Sequence, residues 1–267
     1  MFSGQNKKEQ IIIDAHMHLP VYEGAVLLEE KKEKLLQKLK QNKIAKCVVI
    51  SDSTLESEIG SMDDCAELFA HTNQVSVVGG ISPFIAFAQQ FLKLKDFIAQ
   101  KKLVGIKLFP GFEEYNLSDN SLQPIYEFAE NANIPVLFHS GWENSQYAAW
   151  EDAAKVLEQY PNLKLVCCHC FYPKISDCLK LTSYPNMFFE LSSVADDLSV
   201  FDRIKKDIVN LIKTAPDRVI FGSDYGSCNL EQHIQAIAEL ELDADISDKV
   251  FYQNAMKLYQ LKEEEEL

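Results

Sequence analysis

Apolar positions fall into short unbroken runs, separated by longer stretches in which Leu, Ile and Phe recur at helical spacing. The runs are Ile11–Ala15, Ile44–Ile50, Val75–Ile81, Leu103–Leu108, Pro135–Phe138, Leu163–Cys168, Met187–Leu191 and Val219–Phe221. Each is too short for a buried helix and suits a strand covered on both faces. The stretches between them predict helices over Glu29–Asn42, Asp63–Thr72, Ala86–Gln100, Leu122–Asn131, Gln146–Gln159, Lys174–Leu181, Leu198–Thr214 and Glu231–Glu239. Strand and helix alternate at roughly 30-residue intervals, the spacing of βαβ units. Eight such units in one chain predict an α/β fold, a (β/α)8 TIM-type barrel. A doubly wound open sheet is the other arrangement of such units, but no Gly-rich dinucleotide fingerprint follows the first run. No linker or low-complexity segment divides the chain, so residues 1–267 read as a single domain. The residues after Asp245 predict a terminal amphipathic helix packed on the barrel, followed by the acidic tail "KEEEEL" as a solvated end.

Composition narrows the partners. A formal charge of −14 argues against nucleic acid and anionic membrane surfaces, which are bound through clusters of Lys and Arg. No apolar run reaches the roughly 18 residues of a membrane span, and no apolar leader opens the sequence. Seven cysteines, several inside apolar runs, read as reduced thiols in a cytoplasmic protein. Arg203 and Arg218 are the only arginines. Arginine is the usual bidentate clamp for carboxylate and phosphate, so a phosphorylated or dicarboxylate substrate would lean on Lys107, Lys174, any metal and backbone amides, and phosphoesterase chemistry is disfavoured. A small molecule is the expected partner.

Candidate chemistry collects at the ends of the strands. In "IIIDAHMHLP" an apolar run ends in His16 and His18, which strand alternation points to one side. His139 follows the fifth run, His169 the sixth, and Asp224 the eighth. Barrel closure gathers these ends on one rim, where active sites of such barrels sit. His71 and His233 fall within helices and read as surface or packing residues. Three imidazoles and a carboxylate form a zinc-type ligand set with coordination left open for water. Cys167, Cys168 and Cys170 flank His169, but alternation sends Cys168 away from His169, and no C-x2-C pair completes a four-ligand site. Phe109, Trp142, Tyr172 and Tyr225 lie on the same rim and are the expected pocket walls for a small cyclic or aromatic substrate. Glu190, sharing strand parity with Ser192, is a weaker candidate there.

The motifs "DAHMH", "VGIKLFPGF", "IPVLFHSG", "LVCCHC" and "DRVIFGSDYG", in this order, resemble the amidohydrolase superfamily, in particular its amidohydrolase-related branch of hydrolases, decarboxylases and hydratases. The resemblance implies a distorted barrel with divalent metal at its mouth. It makes His16, His18 and His139 metal ligands. Asp224 would both contact the metal and handle the proton of the attacking water, and His169 would be a catalytic acid/base or a ligand of a second metal. Lys107 stands on the fourth strand, where two-metal members carry a carbamylated lysine; the mononuclear branch lacks that bridge, and there Lys107 would hold substrate. The expectation is one Zn2+ per chain. Two metals on a carbamylated Lys107 is the alternative, and Mn2+ is a further candidate ion. The resulting reading is a metal-dependent hydrolase attacking a small amide, lactone or ester with metal-activated water. A decarboxylase or hydratase on the same site and a barrel that binds ligand without catalysis are the alternatives. A homodimer is the assembly the resemblance implies.

Overall fold

A computed structural model describes residues 10–262 except 22, 23, 25, 143 and 144. The acidic residues of the tail lie outside the described residues. Eight strands, β1 (Ile12–Met17), β2 (Ile44–Ile50), β3 (Val75–Gly80), β4 (Gly105–Leu108), β5 (Val136–Phe138), β6 (Leu165–Cys168), β7 (Met187–Glu190) and β8 (Val219–Ile220), form one parallel sheet in sequence order. Backbone hydrogen bonds from Ala15 to Phe221, Asp224 to His16 and His18 to Tyr225 bring the last strand back to the first, so the sheet curls into a nearly closed barrel. Every predicted strand is present, shortened by a residue or two at some ends.

The helices are α1 (Leu28–Gln41), α2 (Met62–Leu68), α3 (Phe87–Ala99), α4 (Gln123–Ala132), α5 (Trp150–Gln159), α6 (Leu198–Thr214), α7 (Leu230–Ala238), α8 (Ala244–Asp248) and α9 (Asn254–Tyr259). Local chemistry fixes several starts. The Ser61 hydroxyl accepts the Asp64 amide while the Asp64 carboxylate accepts the Ser61 amide, a reciprocal cap for α2. Asp197 accepts the Ser199 and Val200 amides and opens α6. Two predicted helices differ. Residues after β6 form a 3-10 segment, Ile175–Leu181, and the α5 region breaks at extended Ala149 into a 3-10 turn, Ser145–Ala148, and α5. A π-helical turn, Lys249–Gln253, joins α8 to α9.

The core has two compartments. Outward residues such as Ile106, Leu108, Phe138 and Phe189 pack against Leu35, Leu94, Ile125 and Ile208 of the helices. Inward residues Ile13, Ala15, Val48, Ile50, Val78, Leu137, Val166, Cys168 and Ile220 fill the barrel, where Ala255, Leu258 and Tyr259 of α9 join them. The barrel interior below its mouth is therefore filled mostly by apolar side chains, with polar groups gathering toward the rim. No helix among the described residues is long and apolar enough to cross a membrane.

Candidate metal centre

The two histidines of β1 face inward because the strand is bulged. Asp14 pairs with Cys47 and Met17 with Val49, so three steps along β1 match two along β2. Ile13 and Ala15 belong to the interior and Met17 to the outer shell. Unbroken alternation from Ala15 would have turned His16 outward. The extra residue instead puts His16 and His18 into the mouth. Strand periodicity correctly predicts that they share a side, while the choice of side comes from the bulge.

Their outer ring nitrogens are committed. His18 Nδ1 lies 2.8 Å from the Ile50 carbonyl oxygen, which only accepts, so Nδ1 carries the proton. His16 Nδ1 lies 2.8 Å from Glu190 Oε1, the oxygen that also accepts the Ser192 hydroxyl, and is therefore the donor. Both Nε2 atoms are then left with lone pairs, 3.2 Å apart. Asp224 Oδ1 joins them, 3.5 Å from His16 Nε2 and 3.3 Å from His18 Nε2. Three inward-facing donor atoms on buried side chains repel one another unless a cation lies among them, and imidazole with carboxylate is a donor set for a divalent ion. The residues fit a metal.

Asp224 is itself a left-handed residue, φ 64°, in the loop that follows β8. Its Oδ2 accepts the Ser193 hydroxyl at 2.5 Å. Burial opposes its charge, and the positive charge that His16, His18 and His169 would gain on protonation pulls the other way, leaving the carboxyl well below its usual value. Burial also drives His16, His139 and His169 well below the ordinary imidazole value, so all three are neutral bases at neutral pH.

Beneath the cluster lies a buried polar layer. The Ser192 hydroxyl donates to Glu190 Oε1 and accepts from His169 Nδ1 at 2.7 Å, which leaves His169 Nε2 towards the cavity. Burial pushes Glu190 up to about 7 against the pull of Lys107. Lys107 is itself buried, with its ammonium nitrogen 5.4 Å from the Phe109 ring centre. His16, Cys168 and Glu190 also cluster, but this set would use the His16 Nδ1 already donating to Glu190.

The remaining expected residues divide. His139 faces the same cavity by alternation from Leu137, its ring packed against Phe112, Trp142 and His169. It lies outside the 4.8 Å cluster formed by His16, His18 and Asp224, as does His169. Phe109 and Lys107 line the cavity. Trp142 stacks on His139 at 5.6 Å and 10°, and Tyr172 packs behind Trp142 at 5.2 Å, one layer away from the cavity. Tyr225 is buried, and its backbone, which bridges Met17 and accepts the His18 amide, closes the barrel; its side chain is not part of the wall. Cys168 needs a correction: it faces the same interior as His169, because left-handed backbone at His169, Cys170 and Phe171 ends the alternation there. Cys167 and Cys170 turn instead to the outer shell beside Cys178, so the three thiols do not converge.

The cavity over the cluster encloses about 450 Å³. Its wall includes Ser53 and Thr54 after β2, Ser82 and Phe84 after β3, and Phe112 and Glu113 after β4, most of which sequence reasoning did not single out. These are short polar or aromatic residues in loops of no periodicity, which carry no signal until the barrel brings the loops together.

The model of the family described as Amidohydrolase matches residues 13–261. No curated protein matches the sequence at a significant level. Among solved structures, an uncharacterized TIM-barrel protein from Bordetella bronchiseptica is similar with a TM-score of 0.74 and 20% identity, over 94% of this chain and 98% of that one. A probable 2-pyrone-4,6-dicarboxylic acid hydrolase from Acinetobacter baumannii is similar with a TM-score of 0.68 and 16% identity, over 93% and 99%. A dihydroxybenzoic acid decarboxylase from Polaromonas sp., with bound manganese and the inhibitor 2-nitroresorcinol, is similar with a TM-score of 0.68 and 14% identity, over 95% and 98%.

Proposed function

The chain belongs to the amidohydrolase family, and from that premise we propose that it is a metal-dependent hydrolase of a small, ring-bearing carbonyl compound. The observation that carries the proposal is the convergence of His16 Nε2, His18 Nε2 and Asp224 Oδ1 at the floor of a cavity whose wall carries Phe84, Phe109 and Phe112. These residues would hold the ion, with His139 and His169 facing the same space. When bound, a divalent cation supplies Lewis acidity, which polarises a carbonyl and makes water nucleophilic near neutral pH.

The chain's own residues complete the chemistry. Asp224, kept ionised and steadied through Oδ2 by Ser193, accepts the proton of the attacking water and returns it to the leaving group. His169 stands over the cavity as a neutral imidazole oriented by Ser192, able to take or relay that proton. Phe84, Phe109 and Phe112 flank the substrate and thin the water around it. The single set of His16, His18 and Asp224, with His16 Nδ1 given to Glu190, supports one ion; zinc is the proposed ion and manganese the alternative.

Decarboxylation is a second reading. The three phenylalanines of the wall favour it, since an aromatic acid can lie flat among them, and the Polaromonas enzyme is a decarboxylase. One experiment separates the readings. Protein purified without chelator is analysed for metal, then assayed against lactones, amides, esters and aromatic carboxylic acids, with CO2 release measured alongside hydrolysis. About one ion per chain and hydrolysis without CO2 are expected. Asp224→Asn should lower turnover at least about a hundredfold while the fold persists. CO2 release would move the assignment to the lyase, and full activity after exhaustive metal removal would overturn both readings.

A further inference from the structure

The cavity has two unlike sides. The ligand cluster and His169 stand on β1, β6 and β8. Across the mouth, the loops after β2, β3 and β4 meet at Glu113. Glu113 Oε1 accepts the Ser53 hydroxyl at 2.5 Å, and Oε2 accepts the Ser82 hydroxyl. Ser82 in turn accepts the Phe84 amide at 3.1 Å, and both serines are buried. One acidic side chain therefore ties three loops together at fixed geometry while lining the cavity.

Its capacity is only half used. A carboxylate offers about four lone-pair sites, and each Glu113 oxygen takes one hydroxyl, which leaves room for a further donor. Asp52, also on the wall, differs: its own loop occupies it through the Ser53 and Thr54 amides and the Ser57 hydroxyl. Among the described wall residues Lys107 is the only lysine or arginine, and it sits low in the barrel against Cys168. Arg218 is spent elsewhere, donating to the Tyr184, Met187 and Thr182 carbonyls.

Resting on the reading of the cavity as a metal-dependent active site, we propose that Glu113 is the specificity residue. It accepts a hydrogen bond from a hydroxyl or amino group at the end of the substrate remote from the metal, and it rejects substrates with a second carboxylate there. A donor meeting a fixed charged acceptor gains a strong hydrogen bond, whereas a carboxylate at the same place meets like charge with no cation to offset it. Ser53 and Ser82 are positioning residues, because they hold the acceptor still.

Substituted benzoates test this under either reaction, as product-like or substrate-like ligands. Calorimetric titration of manganese-loaded protein compares 3- and 4-hydroxybenzoate with isophthalate and terephthalate. The hydroxybenzoates should bind at least about tenfold more tightly than the diacids of the same geometry. Glu113→Gln keeps the shape and removes the charge, its amide oxygen still accepting one serine hydroxyl while its amide nitrogen donates to the other serine, so the preference should shrink to within about threefold, mainly through tighter binding of the diacids. Equal binding in the native protein, a preference that survives Glu113→Gln, or no binding of any of the four would overturn the proposal. Turnover is read separately: a charge-dependent preference without either reaction would discard the assigned chemistry and keep the role of Glu113.

Discussion

At the scale of single residues, the site depends on which nitrogen of each histidine holds its proton. Glu190 and the Ile50 carbonyl fix Nδ1–H on His16 and His18, and Ser192 does the same for His169. Ser192 is thus the hub of the layer beneath the ligands, and its hydroxyl also lies 3.3 Å from His16 Nδ1. Ser192→Ala leaves His169 with only the longer contact to the Ser192 carbonyl, at 3.3 Å, and frees Glu190 to rotate. Loss of such an orienting partner typically costs 10–100-fold in metal affinity or activity, and about tenfold weaker manganese binding is expected here, read by chelator competition. Unchanged affinity would mean that Glu190 orients His16 without help. The serines show where sequence reading stops. His16, His18, His139 and His169 are legible because histidine is rare in this chain and these four fall at strand ends, as does Asp224. Ser192 and Ser193 look like any strand-to-loop serines, and only the contacts reveal their work.

At the scale of elements, alternation served well where strands are regular and failed where they are not. Lys107 on β4, His139 just past β5 and Glu190 on β7 point inward as regular alternation requires, because nothing interrupts those strands. On β1 and β6 the site depends on departures that no periodic pattern encodes: the bulge before His16 and the left-handed run His169–Phe171. The bulged strand needs room, and Gly222 supplies it. A Cβ there would lie 2.8 Å from His16 Cβ and 3.2 Å from the Glu190 carboxyl carbon. Both neighbours are buried, and one is a proposed ligand. Gly222→Ala should therefore displace His16, weakening manganese binding at least about tenfold and lowering stability by about 1–3 kcal/mol through overpacking. Metal titration beside urea denaturation checks this. Lost stability with unchanged affinity would show that the strain is relieved away from His16.

At the scale of the whole molecule, the helical shell is pinned to the barrel by buried polar contacts as well as by apolar packing. The clearest is His233 of α7, read from sequence as a surface or packing residue. It is buried, and its Nε2 donates to the Leu191 carbonyl just past β7, 2.7 Å away, while Nδ1 has no hydrogen-bond partner. Burial lowers its pKa to about 4, although the Leu191 carbonyl and the charges of Asp224 and Glu190 push the other way. The sign follows from linkage. In the unfolded chain the imidazole titrates near 6.5, so between pH 6.5 and 4 the unfolded state binds the proton that the folded state refuses. Stability therefore falls as pH drops through that window, by up to about 3 kcal/mol from this group, and the loss levels off below pH 4. His233→Gln retains a donor for Leu191 without the titration. Its urea-unfolding free energy should fall by about 3 kcal/mol less than that of the native sequence between pH 7 and pH 4, measured on metal-free protein. Carboxyl groups that titrate in the same window act on both proteins alike, so the difference isolates the histidine. Parallel pH curves would mean that α7 opens before the barrel does, exposing His233 to water while the strands remain folded.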